Sequence, residues 1–219
     1  RMARTCYYGR ITELDTEFGR LMEHLETSGE LENTIVIVSA DHGRYVGAHG
    51  YDAHNFGAFE EIYRIPLIIR GPGVAVGEET SGLVSLMDFC PTLLELGGNE
   101  PFDVCDSRSF VPLLDNPKGM EASFNTAYGE YHGTRFNLAQ RIFWQGDWKF
   151  VFNGFDFDEL YDLANDPHEM KNLVNEQEHA ARVREMMTEV WRIVRETGDR
   201  AIEETHYYSM RIACVGPNP

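Results

Sequence analysis

Residues 35–38 read Ile-Val-Ile-Val, and Ser39-Ala40-Asp41-His42-Gly43 follow without a break. Four consecutive β-branched side chains leave no polar face, so the run calls for a strand covered on both sides, as in a parallel sheet. Upstream, Ile11, Leu14, Phe18, Leu21, Met22 and Leu25 recur at steps of three and four. That spacing predicts a helix with one apolar stripe, stopped by Gly29 and joined to the strand by polar residues 30–34. A helix feeding a buried strand is half of an α/β unit.

The downstream pattern changes twice. Between Gly43 and Arg64 the chain is rich in Gly, His, Tyr and Asp with no period, which reads as a long functional loop. Residues 65–69 resume strand character, with Pro66 near the start and Gly71-Pro72-Gly73 as terminator. Asp88 is expected to cap a short helix at 89–96, with Pro91 in its first turn and Gly97-Gly98 ending it. Residues 99–119 carry Pro101, Pro112, Pro117 and Gly119 and mark a boundary. The expected organisation is thus an α/β layer over 1–115 and a C-terminal subdomain over 116–219. The latter reads as strands at 126–131, 140–144, 148–152 and 159–163, with Gly146-Asp147 and Asn153-Gly154 at hairpin turns. A last amphipathic helix uses Val183, Met187, Val190, Trp191 and Val194 and stops at Gly198. The tail after Gly198 is ambiguous and is a candidate arm for a homo-oligomer.

Charge and cysteines narrow the partners. The 219 residues hold 19 Lys+Arg against 36 Asp+Glu, a net charge of −17 without a local basic patch, which argues against nucleic acid. No stretch approaches the roughly 18–20 consecutive apolar residues of a membrane span. Cys6, Cys90, Cys105 and Cys214 form no CxxC pair, so neither a zinc site nor a dense disulfide framework is expected. Cys90, in Leu86-Met87-Asp88-Phe89-Cys90-Pro91, reads as a core-filling free thiol, which leans toward the cytoplasm while periplasmic or secreted location stays open. The sequence opens on Arg1 just before the predicted helix, as a processed or partial chain would.

Asp41 and His42 stand at the C-terminal end of the predicted strand, the edge where ligands collect in open α/β sheets. A hard carboxylate oxygen beside an imidazole nitrogen suits several divalent ions. By itself the dipeptide fits a turn cap and a polar loop residue better than a metal site. The surroundings add Gly47-Ala48-His49-Gly50, then Phe59-Glu60-Glu61-Ile62-Tyr63-Arg64-Ile65-Pro66-Leu67-Ile68-Ile69. Further on stand Asp88-Phe89-Cys90-Pro91-Thr92-Leu93-Leu94-Glu95-Leu96-Gly97 and Glu159-Leu160-Tyr161-Asp162-Leu163-Ala164-Asn165-Asp166-Pro167-His168-Glu169. These stretches, in this order and over nearly the whole chain, resemble the sulfatase family of the alkaline-phosphatase-like superfamily.

The resemblance implies an alkaline-phosphatase-like α/β fold with a parallel or mixed sheet layer, followed by a small antiparallel sheet with a packed C-terminal helix. It implies hydrolysis of a small-molecule sulfate ester by a formylglycine made from Cys or Ser in C/S-x-P-x-R. It also implies a divalent cation, usually calcium with magnesium or manganese as alternatives, held in part by Asp41 and His42. None of the four cysteines and no serine begins C-x-P-x-R, and the family's paired N-terminal Asp are absent. The chain therefore corresponds to the family's C-terminal portion. It needs an N-terminal segment of the same protein to act, and is not expected to be active alone. The family's Lys before the Glu-Glu pair is also missing: Ala53 stands there in one alignment and His54 when counted from Gly50. His54 is the candidate catalytic residue in the lysine's place, as cation or general acid; otherwise it is an ordinary loop histidine. His49 is expected to order the loop, Glu60 and Glu61 to pair locally, as with Arg64, and Lys149 to be structural. Glu130-Tyr131-His132-Gly133 fits a segment reaching the pocket and an exposed strand end equally well, and Asp162, Asp166 and Glu169 read as a capped turn rather than a calcium loop. Two alternatives stay open: a phosphonate or phosphate diester hydrolase of the superfamily, and an inactive structural or binding remnant.

Overall fold

The apolar stripe at residues 11–25 lies on one long helix, α1 (Met2–Thr27), in the computed structural model. The structure describes residues 2–52, 54, 56–100, 106–133, 139–154 and 157–203. Ala53, Cys105, Cys214 and most of the tail lie outside these. Phe18, Met22 and Leu25 are half-buried, whereas Ile11, Leu14 and Leu21 are exposed. Gly29, at φ +75°, ends the helical run as expected, and the Glu30 N–H reaches back to the Leu25 carbonyl at 3.0 Å.

The chain divides into two compact units, Arg1–His54 with Glu61–Glu78, and Asn55–Glu60 with Glu79–Pro219. In the first, strand β1 (Val36–Ser39) pairs with β2 (Leu67–Arg70), and between them runs the four-residue helical turn α2 (Glu60–Tyr63). The pairing is antiparallel, with Ile37 opposite Ile69 and Val38 opposite Ile68. The expectation of double cover is not met: every β1 residue is half-buried, and Ile68 is exposed. A two-stranded ladder gives each strand one neighbour and leaves part of its apolar surface uncovered.

The second unit follows the sequence closely. Helix α3 (Phe89–Leu96) has the expected span. Asp88 does not cap it with its side chain; Ser85 and Asp88 instead form a capping box on the preceding 3-10 turn, Leu86–Asp88. Cys90 is exposed, contrary to its expected place in the core, because Pro91 and Thr92 form the buried face of this helix. Two short turns, α4 (Val111–Asp115) and α5 (Pro117–Met120), lead to an antiparallel meander, β3 (Thr126–Tyr131), β4 (Gln140–Gln145), β5 (Trp148–Phe152) and β6 (Glu159–Asp162). Helices α6 (Ala180–Thr197) and α7 (Arg200–Glu203) follow, with Gly198 in the left-handed conformation between them.

Both faces of the two central strands are covered, which is why β4 and β5 read as continuous rather than alternating apolar runs. On one face Phe143, Phe150, Phe152 and Leu160 pack with Met186, Met187, Val190, Trp191 and Val194 of α6. Each such side chain contributes about 1.5–3 kcal/mol of hydrophobic stabilisation. On the other face Trp144 and Lys149 are cross-strand partners. Lys149 has no exposed side chain; its Nζ donates to Glu169 Oε1 at 2.7 Å and Glu60 Oε1 at 2.9 Å. Glu60 Oε1 also accepts from Trp144 Nε1, and the Glu60 N–H donates to Glu169 Oε2 at 2.7 Å. Burial pushes the Glu169 carboxyl up, opposed by the Lys149 ammonium. Lys149 is therefore structural, as expected, and Glu169 is its buried counter-ion. Asp162 and Asp166 accept backbone N–H groups of Asn165 and Lys171, as a capped turn requires.

A second buried pair ties β4 to the segment after α6. Arg141 is fully buried, and its Nε and Nη2 donate to both oxygens of Asp199 at 2.5 and 2.9 Å. Burial would raise the Asp199 carboxyl, but the Arg141 guanidinium, aided by the Ile202 and Ala201 N–H groups, outweighs it and holds the carboxyl below its usual range. The stabilisation from this group is thus complete above about pH 4, the unfolded value, and is lost as pH falls through the lower folded value. Asp199→Asn should cost about 3–5 kcal/mol at pH 7, by leaving a buried guanidinium without its counter-charge. Urea denaturation at pH 7 and at successively lower pH should show the variant and the parent converging in acid.

Candidate functional site

Asp41 and His42 follow β1 after one residue, in the first unit. The Asp41 side chain is 85% exposed; its Oδ1 accepts the His42 backbone N–H at 2.8 Å, and its Oδ2 lies 3.6 Å from His42 Nε2. His42 Nδ1 is 2.9 Å from the Gly43 carbonyl. A carbonyl only accepts, so this bond puts the proton on Nδ1 and turns the Nε2 lone pair outward beside the carboxylate. Asp41 and His42 thus offer an anionic oxygen and an imidazole nitrogen side by side, with a backbone carbonyl fixing the tautomer.

His54 joins them. Its ring stacks on that of His42 with centroids 4.5 Å apart and planes 27° apart. Its Nδ1 is buried and has no hydrogen-bond partner among the described residues. The three residues singled out from the sequence thus come together although 12 positions separate the two histidines.

The loop between them is held by its own contacts. The Gly43 N–H donates to the Ile62 carbonyl at 2.8 Å, and a Cβ on Gly43 would stand 1.9 Å from the Glu61 carbonyl oxygen. Tyr45 is buried and packs on Tyr51 and His49, with ring centroids 5.3 and 6.4 Å away. The Gly47 N–H donates to the Tyr51 carbonyl at 2.7 Å, and Arg4 Nε of α1 to the Val46 carbonyl at 2.8 Å. Val46 and His49 both have positive φ, +48° and +50°. For non-glycine residues this costs on the order of 1–3 kcal/mol each and persists only where neighbours impose it.

His49 Nε2 lies 3.4 Å from Glu61 Oε2. The role of Glu61 is not legible in the sequence. Two adjacent glutamates in a polar stretch give no sign of which one turns to His49 and which to Lys149. Of the other sequence candidates, His132 pairs with Glu130 at 2.7 Å, partly exposed, in the second unit.

A solved structure of a protein in complex with its substrate, D-glucosamine-2-N,6-O-disulfate, matches with a TM-score of 0.78 and 31% identity, over 86% of this chain and 40% of that one. The phosphonate monoester hydrolase of Agrobacterium radiobacter matches with a TM-score of 0.76 and 26% identity, over 88% and 41%. The Sulfatase family model matches residues 2–99. The N-acetylglucosamine-6-O-sulfatase of Bacteroides thetaiotaomicron is 35% identical over 192 residues, 83% of this chain and 34% of that protein. These matches support the sulfatase family for this chain, which spans about a third of the length of that curated relative.

Gly43 is the position where the site tolerates least. Gly43→Ala should displace the Glu61 backbone and destabilise the protein by about 1–3 kcal/mol, with a lowered Tm as the readout.

Proposed function

We propose that the protein carrying this chain hydrolyses a small-molecule sulfate ester, with Asp41 and His42 as ligands of a divalent cation and His54 facing the ester. The observation that carries this reading is the convergence of the three side chains, with His42 held in the metal-binding tautomer by Gly43. Calcium fits best, since the Asp41 carboxylate is a hard oxygen donor; magnesium and manganese share that preference. A bound cation would polarise the ester oxygens and offset their charge in a protein of net charge −17. His42 orients toward the cation through Nε2 while Gly43 keeps its proton on Nδ1. His54 donates a hydrogen bond to an ester oxygen and stands in for the lysine that family members use to balance sulfate charge. The formylglycine nucleophile and the remaining acidic ligands belong to sequence that this chain does not contain. The similarity to a glucosamine sulfate complex and to an N-acetylglucosamine-6-O-sulfatase supports a sulfate ester as substrate.

A second reading, phosphonate or phosphate ester hydrolysis, rests on the phosphonate monoester hydrolase match. The same cation site would serve both chemistries. Assays of the full-length protein on aryl sulfate, glucosamine 6-sulfate and aryl phosphonate monoesters separate them, and sulfate turnover is expected to lead. A phosphonate rate well above the sulfate rate would reverse the assignment. His54→Ala should lower kcat at least about tenfold, as loss of one charge-stabilising donor does. Asp41→Asn should weaken calcium binding, followed by calorimetry, by about 10-fold or more.

A further inference from the structure

Glu61 touches the site loop at two points. Its backbone carbonyl fills the space where Gly43 would carry a Cβ, and its carboxylate meets His49 near the far end of the loop. Both side chains of this second contact are largely shielded, His49 at 11% and Glu61 at 23% exposure. Gly43 is also the residue whose carbonyl fixes the His42 tautomer, so any shift of Glu61 is passed to His42 through one residue. At its other end the loop must reverse for His54 to reach the His42 ring, and the left-handed backbone of His49 lies in that reversal.

We infer that His49 and Glu61 form a positioning pair that holds His42 and His54 in register. His49 is there for its side chain despite an unfavourable backbone conformation. Glycine would take φ +50° without strain, so a histidine at this position costs stability unless the imidazole is used. At 3.4 Å the two side chains are in contact without a short hydrogen bond, and Glu61 Oε2 is buried with no hydrogen-bond partner among the described residues. The pair acts by charge and shape and touches no reacting atom.

The inference builds on the cation site proposed above, and its test separates the two. In the full-length protein, His49→Gly removes the imidazole while relieving the backbone, and Glu61→Gln keeps the shape while removing the charge. Hydrogen exchange read by mass spectrometry over residues 43–54 reports the positioning without any need for metal or turnover. Exchange there should quicken in both variants while α1 and the β3–β6 sheet are unchanged. Terbium luminescence, with the ion as a calcium surrogate, should show Kd raised about tenfold, as for loss of a supporting partner. On a sulfate ester kcat should fall about tenfold with KM changed far less, and the double variant should be no worse than the weaker single one, since residues acting as a unit are not additive. Unchanged exchange over residues 43–54 in both variants overturns the pair, whatever the activity. So does unaltered terbium affinity and kcat in folded variants of a protein that binds terbium and turns over substrate. A parent protein that binds no terbium and hydrolyses no ester refutes the cation site instead, and the exchange measurement then decides the pair alone.

Discussion

A lysine ammonium with no exposed surface is tolerable only where carboxylates replace the water it has lost. Lys149 meets that condition through Glu169 and Glu60, and much of the second unit is arranged to keep it met. The positive φ of Glu169 aims its carboxylate at the sheet, Trp144 donates to the same Glu60 oxygen that Lys149 uses, and the Glu60 N–H returns to Glu169. Removing one member would strand the others. The cluster thus explains why a glutamate opening α2, a lysine in mid-strand and a glutamate after a proline turn occur in one chain. The Arg141–Asp199 pair obeys the same rule on the opposite face of the meander.

The site in the first unit is governed by a steric constraint rather than a charge. Gly43 sits against the Glu61 backbone at a separation no side chain allows, and that approach sets where the carbonyl beside His42 points. The orientation of His42 at this turn therefore depends on backbone placement. The strained residues Val46 and His49 fit the same logic, since a loop that must return onto its own start has few low-energy paths.

The similarities bear on the fold more firmly than on the substrate. Sulfatases and phosphonate hydrolases share the fold and resemble this chain comparably in shape. A tetrahedral, anionic, oxygen-rich group is what a cation beside an imidazole recognises in either case.

Much was legible in the sequence because it rests on local chemistry. The meander strands, the α6 stripe and the stop at Gly198 follow from periodicity and turn residues. The long-range partners were not legible. Antiparallel pairing of β1 with β2, exposure of Cys90, the use of Asp88 in a capping box and the separate commitments of Glu60 and Glu61 all depend on what lies across space from each residue. Sequence by itself determined which residues could bind a cation, because donor type is a property of the side chain. Only the tertiary structure decided that His42 presents Nε2 and that His54 stacks on it, because tautomer and ring placement are set by a carbonyl and a loop path that no spacing rule encodes.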